Sequence, residues 1–170
     1  WDERWVNILY PFLEKIIAAG YDGVYLDIVD AFDYYEGEEK RLKAIQMKEL
    51  VSKLHQFANS KRPGFRFIQQ NGLSIIKNFD RPSDWFELID AVGIESMFFS
   101  GPKRMNNPKN LDHSILSFLD HYKAAGKPIF SVEYIYQKNL LEEYRVLAHE
   151  YQVIPLAAAK ELDGQWTVLK

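Results

Sequence analysis

Segments with helical periodicity alternate along this chain with short apolar runs bounded by turn residues, and that alternation constrains the fold more than any other feature. A chain that returns through a helix after each strand lays successive strands side by side in one direction, which makes a parallel sheet. Val6, Leu9, Leu13, Ile16 and Ile17 recur at helical spacing between Asp2, a good N-cap, and Gly20, suited to the position just past a helix. Within the run from Gly20 to Tyr35, a short β-rich segment bounded by Asp22-Gly23 on one side and an acidic, aromatic loop on the other then reads as a buried strand. Glu38 to Ser60 has a stripe of Leu42, Ile45, Leu50, Val51, Leu54, Phe57 and Ala58, a second helix stopped by Lys61-Arg62-Pro63-Gly64. Phe65 to Gly72 is expected as the second strand, with short helical pieces over Leu73 to Lys77 and Asp84 to Ile89. Ala91 to Ser96 and Pro128 to Ile135 are the third and fourth strands, separated by a helix over Leu111 to Ala125. A helix over Asn139 to Tyr151 and a strand over Gln152 to Ala157 complete the pattern, and Glu161 to Trp166 has the composition of a hairpin-like turn. Ser100 to Asn110 is too rich in Gly, Pro and Asn for regular structure and is expected as a long loop, a candidate lid.

The expected class is α/β. Five such strands match the later five βα units of a (β/α)8 TIM barrel, a fold that occupies ~250 residues when complete. Residues 1–170 are accordingly read as a single barrel domain lacking its N-terminal strands, in a chain that opens on Trp rather than Met and is taken as an excerpt or as a processed or trimmed chain. A cut barrel leaves strand edges unpaired, so preceding residues are expected to complete it. An open, doubly wound five-stranded sheet is the alternative. The barrel is preferred because acids at successive strand ends converge on one mouth only if the sheet curls.

Those acids follow one rule. If Val24, Leu26 and Ile28 face the helices, then Gly23, Tyr25 and Asp27 face the other way, with Asp27 last. In the third strand Ala91, Gly93 and Glu95 share a parity opposite to Val92 and Ile94, and in the fourth Ser131 and Glu133 share one opposite to Phe130 and Val132. A single carboxylate at a strand end is ordinarily a helix cap or the partner of an Arg or Lys. Three on one parity favour a shared site. Two carboxyl groups at such a mouth suit glycoside hydrolysis, where one protonates the leaving oxygen and the other attacks or activates water. Tyr25, Tyr34, Tyr35, Met97, Phe98 and Phe99 offer a stacking wall or core. Asp30 and Asp33 are substrate contacts or loop caps, and Asn71, before Gly72, donates to a sugar hydroxyl or makes an Asn-Gly turn. Asp27, Asp30, Asp33, Glu36, Glu38 and Glu39 together give a negative field that attracts cationic ligands.

Other chemistries find little support. A hydrophobic share of 47% in 170 residues provides one substantial core, and a net charge of −3 excludes the basic balance of a nucleic-acid binder. The absence of Cys excludes disulfides, a thiol nucleophile and thiolate metal sites. No segment is long and apolar enough to span a membrane. His55, His113, His121 and His149 lie on expected helices without the spacing of a helical metal motif, so neither metal nor cofactor is assigned, although a carboxylate-only Mg²⁺ or Ca²⁺ site stays open. No phosphate-cradling glycine loop is present, and Ser96 and Ser131 have no His partner in view.

With those residues in hand, Gly-Tyr-Asp-Gly-Val-Tyr-Leu-Asp-Ile-Val-Asp-Ala (20–31) resembles the signature of glycoside hydrolase family 114, the endo-α-1,4-polygalactosaminidase family. Gln70-Asn71-Gly72, Val92-Gly93-Ile94-Glu95-Ser96 and Pro128-Ile129-Phe130-Ser131-Val132-Glu133-Tyr134 are similar to the family's next three strand segments. The resemblance implies a TIM-like barrel that hydrolyses α-1,4-linked galactosamine or N-acetylgalactosamine polymers of secreted or cell-envelope polysaccharides. Position by position it implies Asp27 as nucleophile and Glu95 as general acid/base; Tyr25, Asp30, Asn71, Glu133 and Tyr134 are the residues expected to bind substrate. The implied partner is a polysaccharide or oligosaccharide, and a cationic one matches the acidic loop; the oligomeric state is not read from these residues. Two rival classes stay open, a non-catalytic carbohydrate-binding barrel and a metal-assisted isomerase or aldolase.

Overall fold

Helix α1 (Glu3–Ala18) begins where its cap is expected: an Asp2 carboxylate oxygen accepts the Arg4 backbone N–H at 2.8 Å. It ends at Gly20, whose φ of +89° is the left-handed conformation that terminates helices. The computed structural model describes residues 2–100, 109, 111, 113–135, 137–158 and 166–168, grouped in two units, Trp1–Asp90 and Ala91–Lys170.

In the first unit, β1 (Gly23–Leu26) runs parallel to β2 (Arg66–Gln70), paired from Gly23 with Arg66 to Leu26 with Gln69. The pairing explains why position 23 is Gly. A Cβ there would sit 2.5 Å from the Arg66 carbonyl oxygen, inside any tolerable contact. Between these strands lie a 3₁₀ turn (Val29–Tyr34) and the long helix α2 (Gly37–Lys61); a second 3₁₀ turn (Leu73–Asn78) and the short α3 (Ser83–Phe86) follow β2. The core gathers Ala44, Met47, Leu50, Val51, Leu54 and Ala58 of α2 with Val29, Phe32, Phe67, Ile75 and Trp85. The Arg62 guanidinium ties the end of α2 to the start of β1, donating to the Tyr21 carbonyl at 2.5 Å and to the Asp22 carboxylate.

Two details correct the sequence reading here. The buried stripe of α2 runs through Ala44 and Met47, leaving Leu42 exposed, because the helix presents positions three and four apart to the core and Leu42 falls off that line. Helix α1 buries Val6 and Leu13 but also exposes Trp5, Ile8 and Phe12, so it is apolar on a second face. Trp5, Leu9, Phe12, Leu13 and Ile16 of α1, with β1 and α2, line an apolar cavity of about 470 Å³.

The second unit continues the alternation with β3 (Ala91–Glu95), α4 (His113–Ala124), β4 (Ile129–Glu133), α5 (Lys138–Glu150) and β5 (Ile154–Ala158). Strand β4 pairs in parallel with both β3 and β5, from Val92 with Ile129 and from Phe130 with Ile154. Strand β3 is buried through Ile94, as a parallel strand covered on both faces should be. A further strand, β6 (Trp166–Val168), pairs antiparallel with β5 and was not expected from the sequence, which offers only three residues of signal there. Tyr144 of α5 stitches β4 to β5: its hydroxyl donates to the Ser131 carbonyl at 2.5 Å and accepts the Leu156 N–H at 3.1 Å. Most of the expected Ser100–Asn110 lid and the turn at 161–165 lie outside the described residues. No helix among the described residues is long and apolar enough to cross a membrane.

Candidate functional site

In the first unit the candidate residues collect at the carboxyl ends of β1 and β2. Asp27 is exposed, one residue past β1, and its Oδ1 accepts the Ile28 N–H at 2.8 Å. Ile28 does not continue the alternation toward the helices, as the sequence reading has it. It adopts φ +61° and is 61% exposed. A β-branched residue in the left-handed region is strained, and here the strain turns the chain from β1 into the 3₁₀ turn directly behind the Asp27 carboxylate.

Asp30 sits on that 3₁₀ turn. Burial raises its pKa; its own backbone N–H opposes the shift, and the charges of Asp33 and then Asp27 add to it. Asp30 therefore feels both neighbouring acids. Asp33 is held by Lys40 at 2.5 Å, with the Ser74 hydroxyl 3.4 Å away. Asn71 and Gly72 form the other wall, both at positive φ. A Cβ on Gly72 would meet the Asp30 backbone N and Cα at 3.2 Å, so glycine is what lets the end of β2 approach Asp30. Tyr25 is about half exposed on β1 and lines the apolar cavity together with Asp27.

Gln69 is a residue that sequence reasoning passed over. Wholly buried, it accepts the Trp85 indole N–H at 2.8 Å and donates to the Asn71 carbonyl at 2.5 Å, so it props up the Asn71-Gly72 turn from beneath. The available signal was its parity, shared with the core residue Phe67.

In the second unit Glu95 closes β3, half-buried, and the Tyr134 hydroxyl donates to its Oε1 at 2.7 Å. Glu133, the residue before Tyr134, is 0% exposed. Its Oε1 accepts the Phe98 backbone N–H at 2.7 Å. Burial pushes its carboxyl pKa up to about 7, against the opposing effect of the backbone N–H groups of Phe98, Phe99 and Met97. Those three residues form a buried turn that begins at Ser96, where φ is +53°. The aromatic wall envisaged from Met97, Phe98 and Phe99 is therefore core. Phe98 packs on Tyr144 and Tyr151, and Phe99 meets Tyr144 edge-on. Of the six aromatic-wall candidates the outward side chains are Tyr25 and Tyr34, the latter 87% exposed, while Tyr35 is half-buried. Among the described residues no three or more His, Asp or Glu side chains are grouped to hold a metal ion.

Comparison with known proteins adds a family to this geometry. The model of glycoside-hydrolase family GH114 matches residues 1–170. An uncharacterised protein of Deinococcus radiodurans is 30% identical over 164 residues, covering 96% of this chain and 51% of that protein. One from Thermotoga maritima is 27% identical over 173 residues, covering 96% and 52%. The chain thus spans about half the length of the curated relatives it matches. Among solved structures, the glycoside hydrolase domain of PelA from Pseudomonas aeruginosa superposes with a TM-score of 0.74 at 20% identity, over 98% of this chain and 64% of that one. At that identity the likeness establishes the α/β fold, in agreement with the class expected from the alternation of helices and strands.

Proposed function

The chain belongs to glycoside-hydrolase family GH114, and on that premise we propose that it takes part in hydrolysing an α-1,4-linked galactosamine or N-acetylgalactosamine polysaccharide by a retaining, two-carboxylate reaction. The observation that carries this reading is the family match over residues 1–170, the stretch that contains both candidate acids. In the reaction Asp27 attacks the anomeric carbon while Glu95 protonates the departing glycosidic oxygen, leaving a glycosyl ester on Asp27. Glu95, now a base, takes a proton from water as that water displaces the ester, and the anomeric configuration is retained.

The local surroundings support this division of work. Asp27 is exposed and has its Oδ1 oriented by a backbone N–H, as a nucleophile requires. Glu95 is held through Oε1 by a phenol that can re-aim as its partner gains and loses a proton. Tyr25, Asp30, Asn71 and Tyr134 are assigned to sugar contacts. The acidic stretch that holds Asp27 and Asp30 favours amino sugars that keep a free ammonium group, and such polymers would be met at the cell envelope or outside the cell.

Digestion of partly deacetylated α-1,4-linked galactosaminogalactan oligosaccharides by the full-length protein tests the reading. Shorter fragments that first appear as the α-anomer by proton NMR are expected. Binding without fragmentation contradicts hydrolysis, and fragments that first appear as the β-anomer contradict the retaining course.

A further inference from the structure

Glu95 is positioned by the last residue of β4, Glu133, and by the residue that follows it, Tyr134, and they act on it differently. Tyr134 reaches the carboxylate itself, donating to Oε1 at 2.7 Å. Glu133 reaches the main chain that follows Glu95 and accepts the Phe98 N–H at 2.7 Å. That main chain needs an acceptor. Met97 and Phe98 are completely buried and Phe99 nearly so, and a buried N–H without a partner is costly. The turn is tied to β4 a second time through the Ser96 N–H, which donates to the Val132 carbonyl at 2.9 Å.

Resting on the reading of Glu95 as the proton-transfer group, we propose that Glu133 is a positioning residue for it: one buried acceptor oxygen holds the 96–99 turn, and no negative charge is needed for that work. Its complete burial keeps it from reaching a sugar in this conformation. Its second oxygen, Oε2, has no hydrogen-bond partner among the described residues, an arrangement that suits an uncharged carboxyl better than a carboxylate. The raised pKa that follows from burial agrees with this. Met97 to Phe99 thereby become the floor of the Glu95 site rather than its wall.

Glutamine keeps the acceptor oxygen and discards the charge, whereas leucine discards both. In the full chain, assayed on the same oligosaccharides, Glu133→Gln is expected to keep kcat within about threefold. Glu133→Leu is expected to lose kcat on the order of 10- to 100-fold with KM nearly unchanged, the size of effect that a small misplacement of a reacting group produces. A readout independent of catalysis accompanies the assay: hydrogen exchange at the Phe98 amide stays protected in Glu133→Gln and becomes fast in Glu133→Leu. Should the leucine variant fail to fold, the glutamine variant decides. A kcat in Glu133→Gln as low as that of Glu95→Gln, or an unprotected Phe98 amide in it, overturns the proposal. So does a leucine variant with wild-type kcat and a protected Phe98 amide. If cleavage survives Glu95→Gln, the assignment of Glu95 falls instead, and the Phe98 amide still reports on the anchor.

Discussion

Asp27 and Glu95 are both acids at the carboxyl end of a parallel strand, yet the two regions hold them in opposite ways. Around Asp27 the side chain is open to solvent, the next residue is strained at φ +61°, and the half-buried Asp30 nearby feels its charge. Around Glu95 a tyrosine hydroxyl sits on the carboxylate, and a buried glutamate and packed aromatic rings hold the turn that follows. A nucleophile needs access and a lasting charge, whereas a proton-transfer group needs a fixed direction and an environment that tolerates both of its states. The contrast agrees with the division of labour proposed for the two acids.

The sharpest way to break the contrast is to neutralise each acid. Asp27→Asn and Glu95→Gln are expected to lower the rate of fragment release by about 10³-fold or more on unactivated oligosaccharide, with circular dichroism unchanged. An undiminished rate in either variant removes that residue from the chemistry.

The next largest effect distinguishes the frame around Glu95 through pH. In the unfolded chain Glu133 ionises near 4.5 and in the folded chain near 7, so between those values the native state retains a proton that the unfolded state has released. Stability therefore falls as pH rises through this window, by something on the order of 3 kcal/mol. Urea unfolding at several pH values should show that decline in the wild type and its absence in Glu133→Gln.

On the other side, Gly72→Ala forces a methyl group against Asp30 at a left-handed position. A loss of about 2 kcal/mol in the same unfolding measurement is expected. Tyr134→Phe removes one hydrogen bond from Glu95 and leaves its packing in place. About tenfold in kcat with little change in KM is the expected cost, read by fragment release. Smallest of all, Ile28→Gly relieves the strained turn behind Asp27. Stability should rise by about 1 kcal/mol or less, because glycine's greater freedom in the unfolded chain offsets part of the gain.

The fold class and the candidate acids were legible because they depend on local patterns. Helical spacing, Asp2 as a cap, Gly20 as a stop and turn residues between apolar runs each act over a few residues, and the elements formed within two or three positions of where these signals place them. What escaped depends on distant groups. Nothing near Glu133 in the chain reveals that its partner is the N–H of Phe98, 35 residues earlier, and nothing near Phe98 reveals that its ring belongs to the core beside Tyr144 and Tyr151. Gln69 was hidden for the same reason, since its value lies in bridging Trp85 to the Asn71 turn. Strict alternation also misled at Ile28, where a left-handed residue ended the strand two positions early. A pattern of side chains carries no mark of such a break unless the residue is glycine or asparagine.

The division of labour is tested most directly by trapping. An α-galactosaminyl fluoride supplies a leaving group that departs without protonation, so Glu95→Gln should still form the glycosyl ester but turn it over slowly. Mass spectrometry of the digested protein is then expected to find one added galactosaminyl residue on the peptide carrying Asp27, and on Asp27 within it. A sugar attached to any other residue, or fluoride released at the wild-type steady rate with no adduct, would contradict the account.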